Sequence, residues 1–181
     1  MTKDEVNDCF KNAIKEDKNG KKHKGLLISI PNNKKVIGYL AKAKKNLELC
    51  DLYVEKGFDY KLPEEWFYTL YYCALAILSK FGIESRSQKC TAAFLKYVKD
   101  KGLIDYDNEY IERIIVYKNK SEKSDVDERE DSRYSPSIKS EEVIHKYEYM
   151  NDICKKAISQ CEEIIFSDKE LKIPEELTDN L

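Results

Sequence analysis

The sequence predicts an all-α protein, an up-and-down helical bundle of about five to six helices. Three observations predict it. Only 6 Gly and 4 Pro stand among 181 residues, of which 36% are charged and 41% hydrophobic. That balance suits long charged amphipathic helices and disfavours a turn-rich β-sandwich. Apolar residues recur at alternating steps of four and three from Val36 to Val54 and again from Val143 to Ile164, the seam of an amphipathic helix. No stretch alternates apolar and polar residues for long, as a strand would, and there is no internal repeat.

Residues 2–18 fit a first helix with Val6, Phe10, Ala13 and Ile14 on one side. It gives way at Asn19-Gly20 to Lys21, Lys22, His23 and Lys24, and the short run Leu26–Ile30 stops at Pro31. This part is either a mobile arm or a segment packed across the bundle. The seam Val36, Leu40, Ala43, Leu47, Cys50, Val54 makes the next helix, closed by Gly57. Leu62-Pro63-Glu64-Glu65 opens a third, with proline preset for the first turn and two carboxylates near the positive end of the helix dipole. Trp66, Leu70, Ala74, Ile77 and Phe81 mark one face, but Phe67, Tyr71 and Leu75 make the other side apolar too, so this is the central helix, ending at Gly82. Ser85 or Ser87 caps a fourth with Cys90, Phe94 and Val98 inward. Tyr110, Ile111, Ile114 and Tyr117 suggest a fifth. Lys118 to Arg133 is nearly devoid of apolar residues and reads as a solvated loop or as exposed last turns. Pro136 breaks the chain, and Ser140-Glu141-Glu142 starts a final helix through Val143, Tyr147, Met150, Cys154, Ala157, Cys161 and Ile164. The resulting organisation is an N-terminal helix or arm over residues 1–35, a bundle over residues 36–167 and a weakly anchored tail over residues 168–181.

Acidic and basic residues nearly cancel (34 against 32), which excludes the strong global basic field of a general nucleic-acid binder but not a local patch. The start has no apolar segment of the kind that directs secretion. The longest apolar run, Trp66 to Leu78, falls short of the roughly 20 residues that cross a bilayer, so no membrane association is expected. The six cysteines form no C-x-x-C pair and mostly sit on apolar stripes, as expected of small reduced hydrophobes in a cytoplasmic protein. With two histidines and no ligand-spaced cysteines, neither a metal nor another cofactor is expected.

Motifs of the common soluble enzymes are absent: no glycine-rich phosphate loop, no H-E-x-x-H and no G-x-S-x-G. His23 and His145 read as solvated surface, and the acidic pairs Glu64-Glu65 and Glu141-Glu142 as helix starts. One local feature stands apart. Of only four arginines, Arg129 and Arg133 lie within five residues, just before Tyr134. A guanidinium holds phosphate through a planar fork, and a phenol offers a hydroxyl and a stacking face. The bland alternative is local pairing with Glu128, Glu130 and Asp131. Lys89, at the expected start of the fourth helix, is a further candidate phosphate contact.

Over about residues 36–167 the chain resembles the HEPN superfamily of small helical bundles. The resemblance rests on Ile37-Gly38-Tyr39-Leu40-Ala41-Lys42-Ala43 leading into Asn46-Leu47, on Trp66-Phe67-Tyr68 followed by Leu70 to Leu78 and Gly82-Ile83, and on Arg129-x-x-x-x-Tyr134-Ser135-Pro136. It implies a metal-independent ribonuclease, in which two protomers bring both copies of an Arg and a downstream His to one cleft. Arg129 takes the Arg place and Tyr134 stands where the His is expected. A phenol with a pKa of about 10 is a poor base at neutral pH. The resemblance therefore implies catalytic positions Arg129 and Tyr134, ligand contacts at Arg133 and Lys89, a homodimer, and a minimal nucleotidyltransferase as partner. The leading expectation is an RNA- or nucleotide-facing accessory or toxin module with a weakened or absent ribonuclease site. The alternatives are an active ribonuclease toxin and a non-catalytic protein-interaction module.

Overall fold

A computed structural model describes residues 2–115, 125–135 and 140–179. Everything is arranged about α3 (Leu62–Lys80), thirteen of whose residues are buried. Pro63 occupies its first turn, Glu64 and Glu65 complement its N-terminal dipole, and the chain leaves it at Gly82, whose φ is 75°. A Cβ at Gly82 would stand 2.6 Å from the Ser29 carbonyl oxygen, so the close passage of residue 29 requires glycine. α2 (Asn33–Lys56) begins at Asn32, whose side chain accepts from the Lys35 amide at 3.1 Å, and ends at left-handed Gly57. A short 3₁₀ turn, Asp59–Lys61, folds α3 back along it as a helical hairpin. The long α8 (Tyr147–Phe166) covers another side of α3, and Trp66 Nε1 donates to Asn151 Oδ1 at 2.8 Å inside the core between them.

The N-terminal part is packed, not mobile. α1 (Lys3–Lys18) opens with a capping box between Thr2 and Glu5, and Val6, Phe10 and Ala13 are fully buried, Val6 and Phe10 in the same apolar cluster as α3. It lies on α4 (Gln88–Asp100), which Ser87, not Ser85, caps by accepting from the Cys90 amide at 3.3 Å. The expectation of six reduced cysteines is corrected for one pair. Cys9 of α1 and Cys90 of α4 form a disulfide across 81 positions of sequence, because the two helices bring these Cα atoms to 5.8 Å. Cys50, Cys73, Cys154 and Cys161 are free and buried. Burial pushes the Cys50 thiol up to about 12 and the Cys154 thiol upward as well, which removes them as nucleophiles.

The run at Leu26 is a strand. β1 (Leu26–Ile28) pairs antiparallel with β2 (Ile83–Ser85), Leu26 opposite Ser85 and Ile28 opposite Ile83. Three residues are too few to show an alternation. The C-terminal half departs further from expectation. α5 (Asn108–Arg113) is a short helix, and Tyr117, residues 118–124 and Pro136 lie outside the described residues. The described part of the charged stretch is neither loop nor continuation but a separate helix, α6 (Asp125–Tyr134), docked on α3 through buried Val126. The last helix is two: α7 (Ser140–Ile144) and α8, separated at His145-Lys146. Residues after 168 are anchored as well, by buried Leu171 and Leu177 and by Glu176, which accepts from the Tyr97 hydroxyl at 2.8 Å and pairs with Lys101 at 3.0 Å. Among the described residues the protein is thus mainly α, with eight α-helices and one two-stranded sheet, and no helix is long and apolar enough to cross a membrane.

Candidate nucleic-acid interface

Arginines hold α6 at both ends, to α5 and α8 at its start and to α3 further along. At its start, Arg113 of α5 donates through Nη1 to both Asp125 oxygens (3.0 and 3.2 Å) and through Nη2 to Glu109 (2.7 Å) and the Tyr149 hydroxyl (3.2 Å). Further along, the Arg129 guanidinium lies over the Phe67 ring, 4.5 Å from its centroid, and 6.0 Å from that of Tyr68. Its described carboxylate contact is Glu130, at 3.3 Å, and the side chain is only 12% exposed. One helical turn on, Arg133 pairs with Glu64 of α3. Tyr134 is 75% exposed. The helix explains the split: positions four apart share a face, whereas positions five apart point roughly 140° away from each other. Arg129 and Arg133 both face α3, and Tyr134 is turned from them. The structure does not bring Arg129 and Tyr134 together within one chain.

What Arg129 does join is a run of stacked rings that sequence reasoning missed. Phe67 stacks on Tyr71 (5.9 Å) and meets Tyr68 edge-on (5.4 Å). Tyr68 stacks on Tyr72 (5.8 Å), and Tyr72 on Tyr39 of α2 (6.1 Å). Lys42 closes the far end, with Nζ 5.2 Å from the Tyr72 centroid. Tyr39, Tyr68, Tyr71 and Tyr72 are all half-buried, a continuous aromatic strip with a cation at each end. Burial raises the Tyr71 and Tyr72 hydroxyls above their ordinary pKa, so both remain protonated donors. The available signal was the spacing 68, 71, 72, which places three tyrosines on one helix face. It was masked by their apolar neighbours, which read simply as a buried helix.

The strip runs into a shallow surface depression with room for about one water, about 10 Å³, lined by Lys35, Tyr39, Leu75, Ser79 and Glu84, among others. Glu84 is a local hub: Lys35 (3.2 Å), Arg86 (3.0 Å) and His23 (3.4 Å) converge on its carboxylate. Burial works against its ionisation, but these neighbours prevail and hold its pKa below the ordinary value. His23 therefore corrects an expectation. It is buried behind β2 with its Nδ1 lacking a hydrogen-bond partner, whereas His145 is exposed as anticipated. Lys89 is exposed in the first turn of α4, beyond the end of α3 opposite Arg129. Among the described residues no group of three or more His, Cys, Asp or Glu is disposed to hold a metal ion. No family model, no curated protein and no solved structure matches the chain.

Proposed function

We propose that this chain is a HEPN-like helical protein that holds RNA or nucleotides by base stacking and does not cut them. The observation that carries the reading is the strip Tyr68–Tyr72–Tyr39, flanked by Arg129 and Lys42. The ring surface that the mutual stacking leaves open to solvent would take bases of any identity, each worth about 1–3 kcal/mol, while cations beside the rings attract phosphates. Support for the absence of cleavage is chemical. Strand scission through the 2′-hydroxyl needs a base that titrates near neutrality, and the residue in the expected place is a solvent-facing phenol turned away from Arg129.

The resemblance adds a second copy of the chain and a minimal nucleotidyltransferase as partners. Light scattering and co-purification from co-expressing cells test these two. A cytoplasmic setting goes with the reading; there the Cys9–Cys90 bond would be open to reduction. The central test is fluorescence anisotropy of a labelled single-stranded RNA at low salt. The double substitution Tyr68→Ala/Tyr72→Ala is expected to weaken binding at least tenfold while the RNA stays intact over hours with the native chain. If the chain fails to bind, the stacking reading fails. Metal-independent cleavage that Arg129→Ala abolishes would replace it with a ribonuclease.

A further inference from the structure

The tyrosine strip ends at a part of the surface that the proposed function does not yet use. Residues 19–35 contain Lys21, Lys22, Lys24, Lys34 and Lys35 and no acid, and residues 82–91 contain Arg86 and Lys89 against the single acid Glu84. Seven cations against one carboxylate give these segments a net charge of +6 in a chain whose total is −2. The fold gathers them at one end: β1 pairs with β2, the Arg86 amide donates to the Gly25 carbonyl at 3.1 Å, and Lys35, Arg86 and His23 meet on Glu84. Lys21, Lys22, Lys24, Lys34 and Lys89 are all exposed, and none of their ammonium groups is ion-paired among the described residues, although the Glu16 carboxylate also reaches this loop, accepting from the Lys24 amide at 2.6 Å. α2 and α4 also start here with no acid in their first turns, so their dipoles add to the same field.

We infer that this basic pole is a phosphate track continuous with the tyrosine strip, and that the ligand is single-stranded RNA several nucleotides long rather than a mononucleotide. The inference rests on the base-stacking reading and names its substrate class. Continuity comes from α2, where Lys35 and Tyr39, one turn apart, line the same depression. Length comes from the rings and α2. Tyr68 to Tyr72 and Tyr72 to Tyr39 are steps of 5.8 and 6.1 Å between ring centres, and Lys35 lies one helical turn beyond Tyr39, about 6 Å, so the path is about 18 Å at most. At about 3.4 Å per stacked nucleotide this accommodates up to about five. Sparse phosphates on a mononucleotide would leave most of the pole unused. A strand keeps its bases on the rings while its backbone runs over the lysines, the division of labour that single-strand binders use.

The test compares octauridylate with uridine monophosphate, on the native chain and on a variant with Lys22→Glu, Lys34→Glu and Lys89→Glu, two charges from residues 19–35 and one from residues 82–91. All three side chains are exposed, and circular dichroism checks that the fold is kept. The native chain is expected to bind the octamer at least a hundredfold more tightly than the monophosphate. The variant should lose at least tenfold in octamer affinity. Its plot of log affinity against log salt should flatten by about 2, close to 0.7 for each phosphate that is no longer neutralised. Octamer binding with unchanged affinity and slope in the variant, yet abolished in Tyr68→Ala/Tyr72→Ala, overturns the track and spares the stacking reading. The converse pattern spares the track and overturns stacking. Capture by phosphatidylserine vesicles through these lysines, with no RNA bound, overturns the inference in favour of a membrane surface.

Discussion

Arg113 of α5 and Arg129 of α6 both help to anchor α6, and both are largely withdrawn from water, 18% and 12% exposed. Their surroundings differ in kind. Arg113 spends its two Nη groups on Asp125, Glu109 and Tyr149, so its charge is matched by residues of three elements, α5, α6 and α8, while its buried Nε has no hydrogen-bond partner. The Arg129 guanidinium carbon stands 4.5 Å from the Phe67 ring centre and 6.0 Å from that of Tyr68, and its Nη2 donates to Glu130 at 3.3 Å. The difference teaches how a buried guanidinium can be held in two ways: by carboxylates and a phenol from several elements, or by aromatic rings beside one carboxylate.

The contrast can be broken first at Arg113. Replacing it with Met strands Asp125 and Glu109 without their cation, and is expected to cost about 2–4 kcal/mol in urea denaturation while leaving RNA affinity within about twofold of native. A cost below about 0.5 kcal/mol would show that Arg113 is no strut. Phe67→Leu comes next. It roughly fills the volume but removes the ring beneath Arg129, so a loss of about 1–1.5 kcal/mol is expected together with a severalfold drop in RNA affinity. Unchanged affinity would detach Arg129 from the strip.

The smallest effect is one of pH. Arg113, through its hydrogen bond, and Tyr149 hold the Glu109 carboxyl below its ordinary range. Its contribution to the Arg113 hub is therefore complete above about pH 4.3 and fades as the pH falls through the lowered value. Asp125, on the same guanidinium, moves the other way because its deeper burial outweighs Arg113; its own contribution is present below its ordinary pKa and fades as the pH rises through the raised one. Following both carboxyl carbons by NMR titration should show the two midpoints displaced in opposite directions. Matching displacements would mean that a single cation governs both.

The long helices were legible because their chemistry is periodic. Val36 to Val54 and Met150 to Ile164 write a seam every seventh residue, and Gly57, Pro63 and Gly82 punctuate the ends. α6 was not legible, because one valine and two cations facing α3 leave no apolar stripe. Nor was the break at His145-Lys146, where no glycine or proline announces a turn. Strands of three residues fall below any alternation signal, and a disulfide spanning 81 positions follows only from how α1 docks on α4. At the candidate site, Arg129 drew attention through its rarity. Its setting depends on Phe67 and Tyr68, whose aromatic faces looked like ordinary core. Lys21, Lys22, Lys24, Lys34 and Lys35 were visible in the sequence, but only β1–β2 pairing brings them beside Arg86 and Lys89.

The Cys9–Cys90 bond has a topological consequence. It turns the stretch between these residues into a covalent ring that holds all of α2, α3, both strands and the lysine-rich loop. A protease that nicks that exposed loop opens the ring without releasing a fragment, so the severed chain travels as a single molecule until a thiol reductant parts it.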